Sequence, residues 1–282
     1  MRDNWASERF RGVDPSCPRD GESLDRDGPL LQVIDVVKDF GGLRAVNHCN
    51  LDVRAGSITG LIGPNGAGKT TLFNLITGFL KSNGGQILFK GERIDGLPPH
   101  KLFHKGIVRT FQVPQELKRM TVLENLMLVP SRQAGERLWN TWFFPFKVWG
   151  QEREIEERAV WVLEFVGLDE LKDEYAGNLS SGQKKLLELA RALMSDPELI
   201  LLDEPGAGVN PTLMRKLSDH IERMSRELRV TFLLIEHNID LVMRLCDPVI
   251  VMSSGEKIAE GPPEIVQRDE RVLEAYLGGQ NR

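Results

Sequence analysis

Two short stretches carry residue types suited to phosphate chemistry. The run Gly63-Pro-Asn-Gly-Ala-Gly-Lys-Thr-Thr71 fits the pattern G-x-x-x-x-G-K-[ST]. Its glycines allow the backbone of Gly63, Pro64, Asn65, Gly66, Ala67 and Gly68 to curl until successive N–H groups converge on an anion. A helix opening at Lys69 adds its positive dipole end. Lys69 brings a point charge for β- and γ-phosphates, and the Thr70 hydroxyl, beside Thr71, is a ligand for Mg²⁺. A glycine-rich turn that binds nothing is the plain alternative. The full match, with an apolar strand before it and a helix after it, argues against that.

The second stretch, Leu199-Ile-Leu-Leu-Asp203-Glu204-Pro205, ends an apolar run in two acids. Ligands of open α/β sheets sit at the carboxyl ends of strands. There Asp203 is expected to hold Mg²⁺, directly or through water, and Glu204 to polarise an attacking water as general base. Alone, such a pair also suits a solvated strand end; the phosphate cradle in the same chain favours the chemical reading.

These side chains need a scaffold, and the apolar pattern supplies one. Leu30–Val36, Ile58–Ile62 and Gln86–Lys90 read as strands, and Lys69–Gly78 opens a helix. Glu152–Val166 has helical spacing and ends at Gly167, and Lys184–Met194 is helical before Pro197. Leu199–Leu202 and Val230–Ile235 are continuous apolar runs, the pattern of strands buried on both faces of a parallel sheet. Strands alternating with helices indicate an α/β core. The poverty of strand signals from about 113 to 198 predicts an inserted helical subdomain. Residues 1–28 are polar and read as a flexible tail before a domain at 29–278.

Composition narrows the class. Among 282 residues, 36 Lys+Arg against 41 Asp+Glu give a net charge of −5, which argues against nucleic-acid binding driven by overall charge. Three dispersed cysteines (Cys17, Cys49, Cys246) point to a reducing compartment. No run approaches the roughly 18 apolar residues of a membrane span, and the N-terminus lacks an apolar signal core, so a cytosolic location is expected.

A third motif identifies a family. Leu179-Ser-Ser-Gly-Gln183, opening a helix, resembles the signature motif of ABC transporter ATPases, with Ser181 where that family usually has Gly. A Ser-Gly-Gln loop at a helix N-terminus is a second anion-binding device. The resemblance implies a P-loop NTPase (RecA-like) α/β core of ABC-ATPase type, with an antiparallel β subdomain and an inserted helical subdomain. It implies that Ser180, Ser181, Gly182 and Gln183 dock on the nucleotide of the opposite subunit, so that the chain works in a dimer. It assigns Gln112, in Arg109-Thr-Phe-Gln112, as the glutamine that senses metal and water, and His237 as the histidine contacting the γ-phosphate after the last core strand. Phe40 matches the aromatic that stacks on adenine.

The resemblance covers about Leu30 to Gly278 and is nearest to the ATP-binding subunits of branched-chain and neutral amino-acid uptake systems. Phe40-Gly-Gly-Leu-Arg-Ala-Val46, Gly206-Ala-Gly-Val-Asn-Pro211, Ile235-Glu-His-Asn238 and Glu274-Ala-Tyr-Leu-Gly278 carry that likeness. It implies ATP with Mg²⁺, ABC permease membrane subunits, a second ATPase subunit (a heterodimer, with Asn210 at the seam) and, indirectly, an extracytoplasmic binding protein. The location implied is peripheral, on the cytoplasmic face of a bacterial inner membrane, and no nucleic acid is expected. Urea or short-amide import is the alternative cargo. A soluble, non-transport ABC-type ATPase is the rival class, disfavoured by a single cassette without sustained heptads. The aromatic run Leu138–Trp149 suits either a permease or membrane contact or packing on the helical subdomain.

Overall fold

In a computed structural model of the chain, residues 28–110, 116–130 and 145–277 are described, except the side chains at 145, 147 and 277. Nearly all of the expected tail, Gln112, most of the aromatic run and Gly278 lie outside the described residues. Strands β1 (Leu31–Phe40) and β2 (Leu43–Val53) come first, then β3 (Ile58–Ile62), helix α1 (Lys69–Ile76), β4 (Gly84–Phe89) and β5 (Glu92–Arg93). Helix α2 (Pro99–His104) leads to β6 (Ile107–Arg109), followed by α3 (Val122–Met127), α4 (Pro145–Val166) and α5 (Ser181–Met194). Then come β7 (Leu199–Asp203), α6 (Pro211–Leu228), β8 (Thr231–Ile235), α7 (Ile239–Leu245), β9 (Val249–Ser253) and β10 (Glu256–Gly261). Short helices α8 (Pro263–Val266) and α9 (Glu270–Leu277) end the described chain.

Among the described residues the strands form two sheets. One is antiparallel, in the order β2-β1-β4-β5. The other runs β10-β9-β3-β8-β7-β6 and is parallel except at the β9–β10 edge. Why its central strands are mostly apolar is visible in β7. Leu199 and Leu201 pack into one core with α1 and the antiparallel sheet, while Ile200 and Leu202 pack into the other with the helical side. Alternate side chains of a strand face opposite ways, so covering both faces leaves few positions for a charged residue. Each such buried side chain contributes about 1.5–3 kcal/mol of transfer free energy.

Between β6 and β7 the described residues form helices α3, α4 and α5, which pack on one another, and two 3-10 turns. Thr121 and Glu124 form a reciprocal capping box that starts α3. Three expectations shift. Helix α5 begins at Ser181, because Ser180 caps it, and α4 reaches back to Pro145. Strand β8 is not the last of the core: β9 pairs with β3 on the far side. Cys49 and Cys246 are free thiols buried as small apolar core pieces, pushed by desolvation up to about 11 and about 12.

Candidate functional site

The phosphate-type loop lies between the carboxyl end of β3 and the start of α1. Two of its glycines are required sterically. A Cβ on Gly63 would stand 2.1 Å from the Met252 carbonyl oxygen, and one on Gly68, at φ 96°, 2.4 Å from that of Ala45. No side chain caps α1, so its positive end faces the loop without an intramolecular anion. The buried Lys69 ammonium folds back and donates to the carbonyl oxygens of Gly63 at 2.7 Å and Pro64 at 3.0 Å. Burial lowers its pKa, opposed by the charges of Glu204 and then Asp203. This is a buried cation with only carbonyl partners and an open anion cradle beside it, which fits a polyphosphate.

That cradle opens into a cleft of about 550 Å³ lined by Asn65 to Thr71, Phe40, Leu43, Arg44, Ala45, Glu204, His237 and Ser254. Phe40 is exposed at the end of β1, with the Lys38 ammonium 5.1 Å from its ring centroid. Glu204 follows β7 in a left-handed backbone conformation, φ 50°, held by its N–H bond to Ile235 O at 2.9 Å. A non-glycine residue in that region costs of order 1 kcal/mol or more, and such strain clusters at functional sites. Its Oε1 lies 3.0 Å from His237 Nε2, so the acid and the histidine meet directly.

Asp203 does not line the cleft. It sits one residue behind Glu204, and its Oδ2 accepts a 2.6 Å bond from Arg109 Nη2, with both side chains nearly buried. Arg109 Nη1 also donates to Asn74 Oδ1 at 2.5 Å, tying β6, β7 and α1 together. Arg109 carried no expected role; an arginine in an edge strand beside an acid-tipped strand was its signal. No cluster of three or more His, Cys, Asp or Glu stands ready to hold a metal among the described residues. Mg²⁺ commonly takes one or two protein oxygens plus substrate phosphates; Thr70 in the cleft suits it, and the Asp203 carboxylate, paired with Arg109, stands one residue behind the cleft wall.

The Ser180–Gln183 loop lies elsewhere in the chain's surface. None of its residues lines the cleft. Ser180 N-caps α5, its hydroxyl accepting from Gln183 N at 3.4 Å while Gln183 Oε1 accepts from Ser180 N at 2.8 Å. A Cβ on Gly182 would fall 1.7 Å from Leu213 Cδ2, so the loop is seated on the first turn of α6. Asn210 caps that same helix, its Oδ1 accepting from Leu213 N at 2.9 Å. Aspartate caps equally well, so the cap accounts for a short polar side chain at 210 without distinguishing Asn from Asp. Glu236 is another residue whose role the sequence alone does not reveal. Its buried carboxylate accepts from Gly206 N at 2.6 Å, His237 N at 2.9 Å and Asn238 N at 3.1 Å.

A parallel sheet with a glycine-lysine loop at one strand end, a histidine just after its neighbour and an acid pair at the strand beyond defines a P-loop nucleotide-binding cassette. The chain belongs to the ABC transporter family, whose profile matches residues 46–207; a second profile, the branched-chain amino acid ATP-binding cassette transporter, matches residues 256–280. It is 45% identical over 256 residues to the probable branched-chain amino acid transport ATP-binding protein LivG of Archaeoglobus fulgidus, covering 89% of this chain and 96% of the relative. It is 43% identical to the high-affinity branched-chain amino acid transport ATP-binding protein BraF of Pseudomonas aeruginosa and 40% to LivG of Escherichia coli, each over 250 residues, 89% of this chain and 98% of the relative. Among solved structures, the ADP conformation of MJ1267, an ATP-binding cassette of an ABC transporter, matches with a TM-score of 0.75 at 41% identity, covering 89% of this chain and 99% of that one. The chain is thus an ATP-binding, ATP-hydrolysing subunit that works with membrane permease subunits. Among the described residues no helix is long and apolar enough to cross a membrane.

Proposed function

We propose that this chain is the motor of an importer for branched-chain and neutral amino acids, on the cytoplasmic face of a bacterial inner membrane. The convergence of Lys69, Glu204 and His237 on one cleft supports the motor reading, and the names of the relatives support the cargo. ATP enters with its adenine against Phe40 and its phosphates against the backbone N–H groups of 65–71. Lys69 exchanges its bonds to Gly63 and Pro64 for the β- and γ-phosphates. Glu204 polarises the attacking water, and His237, already within hydrogen-bond reach of Glu204, orients it and contacts the γ-phosphate. Thr70, Asp203 and Gln112 would hold Mg²⁺, which when bound neutralises charge on the β- and γ-oxygens.

The Ser180–Gln183 loop completes the site of the opposite subunit rather than its own, consistent with its absence from the cleft lining. Residues 29–278 form the ABC domain and about 113–198 its helical subdomain, which receives a short helix of the permease. An extracytoplasmic binding protein delivers cargo to that permease. The opposite ATPase is a different chain, as resembling uptake systems commonly use two. Intact-complex mass spectrometry should show two unlike ATPase masses, and one mass in two copies would exclude heteropairing.

Glu204→Gln tests the base directly. The amide keeps the shape and loses the basic oxygen. Mg-ATP binding should persist while turnover falls by about 10² to 10⁴, leaving an ATP-bound dimer visible by size exclusion. Normal hydrolysis by this variant would refute the role.

A further inference from the structure

The loop just after Glu204 is gripped from two sides by opposite charges. Lys185, on the second turn of α5, sends its Nζ to the carbonyl oxygens of Pro205 at 2.6 Å and Ala207 at 2.7 Å. Between those carbonyls lies the Gly206 N–H, which points the other way and donates to Glu236 Oε1 at 2.6 Å. The second oxygen of Glu236 accepts the N–H groups of His237 and Asn238. Gly206 is required here, because a Cβ would stand 2.6 Å from that same carboxylate oxygen. The loop closes on its own start through the bond from Ala207 N to Glu204 O at 3.0 Å. A continuous hydrogen-bonded path therefore runs from α5 through Lys185, the 205–207 peptides and Glu236 to His237, and from His237 to Glu204.

Each contact has the chemistry of a positioning device rather than a surface ion pair. Lys185 is half-buried and bonds backbone carbonyls, so its geometry is fixed by the loop and not by a mobile carboxylate. Burial lowers its pKa, and Glu188, Glu236 and Glu204 counter that as the nearest negative charges. Glu236 is a carboxylate with almost no solvent exposure whose partners are all main-chain N–H groups. Charge-assisted bonds of this kind are stronger than neutral ones and strongly direction-dependent. The same α5 also seats Gly182 against Leu213 of α6, so the helix that carries the signature loop touches both the loop after Glu204 and the helix that follows it.

We propose that Lys185 and Glu236 are positioning residues that bracket loop 205–207, so that seating of the Ser180–Gln183 loop on a partner's nucleotide is transmitted to the Glu204–His237 pair of the same chain. This rests on the proposed motor function, in which that loop meets the opposite nucleotide. The two composite sites of a dimer are then coupled through each chain, and binding at one biases hydrolysis at the other. Neither residue touches substrate; Lys185 and Glu236 act through the loop and the histidine.

The test uses the complete transporter, ATPase and permease subunits together, in proteoliposomes. Lys185→Met keeps the stem and removes the donors; Lys185→Arg keeps a cation that can reach both carbonyls. Lys185→Met should lower kcat by about tenfold, the rate equivalent of a lost charge-assisted hydrogen bond. KM for ATP and the affinity of the isolated chain for a fluorescent ATP analogue should change less than about twofold. The Hill coefficient for ATP should fall from about 2, the number of sites, towards 1. Lys185→Arg should recover both kcat and cooperativity, and Glu236→Gln should reproduce the loss, because its amide N–H meets a backbone donor. Wild-type kcat and cooperativity in Lys185→Met would overturn the proposal, and so would a fall in kcat with cooperativity intact. Glu204→Gln run alongside separates the two ideas: if it hydrolyses normally the base assignment fails, whereas if it is inactive and Lys185→Met is normal only the bracket fails.

Discussion

At the residue scale, the site is a contest between fixed backbone dipoles and a few mobile charges. Lys69 is the mobile cation of the cradle, and its carbonyl partners are weak enough to be exchanged for phosphate. Removing it leaves the glycine turns and the α1 dipole but no point charge for the β- and γ-phosphates. Lys69→Ala should therefore abolish ATPase activity and weaken ATP binding severely, measured by turnover in the assembled transporter and by nucleotide titration of the purified chain; wild-type turnover would contradict the assignment. The glycine-lysine loop and the acid pair were legible because their spacing is set by backbone geometry that few sequences satisfy by chance. Arg109, Lys185 and Glu236 were not legible as a network. Their roles come from neighbours distant in sequence, Asp203, Pro205 and Gly206, which nothing short of the fold brings together.

Elements explain the rest of what the sequence did and did not reveal. Strands β3, β7 and β8 of the parallel sheet were readable from their apolar runs, since both faces are covered, whereas β6 and β9 were not read as strands. Strand β2 was not, because its pairing with β1 shifts register repeatedly and His48 takes φ 47°, so its apolar positions Val46, Cys49, Leu51 and Val53 lose a strict two-residue period. Helix α6 escaped notice although Asn210 caps it and Pro211 opens it, since its buried positions are few and spaced among charges. The seat of Gly182 on that helix makes a prediction. Gly182→Ala places a methyl where Leu213 Cδ2 stands, an overpacking cost of about 1–3 kcal/mol. The loop should tilt and the complex should lose about tenfold in kcat, while Gly182→Ala with Leu213→Ala should recover most of it. An unaffected single variant, or a double variant as impaired as the single, would show that this contact does not set the loop.

At the scale of the whole molecule, the proposed function has one chain hold two unlike parts of a reaction. The cleft at the strand ends carries the cradle, Glu204 and His237, and the start of α5 carries the Ser180–Gln183 loop outside that cleft. Cargo leaves no mark on either part, since coupling between nucleotide and transport is energetic and needs no shared site. The central claim is that hydrolysis in this cleft drives amino-acid import. It is tested most directly by uptake of labelled leucine, alanine and urea in a strain lacking the gene, complemented with wild type or with Glu204→Gln. Leucine and alanine uptake should be lost on deletion, restored by wild type and not by Glu204→Gln, with urea uptake unchanged throughout. Intact leucine and alanine uptake together with lost urea uptake in the deletion strain would contradict the account.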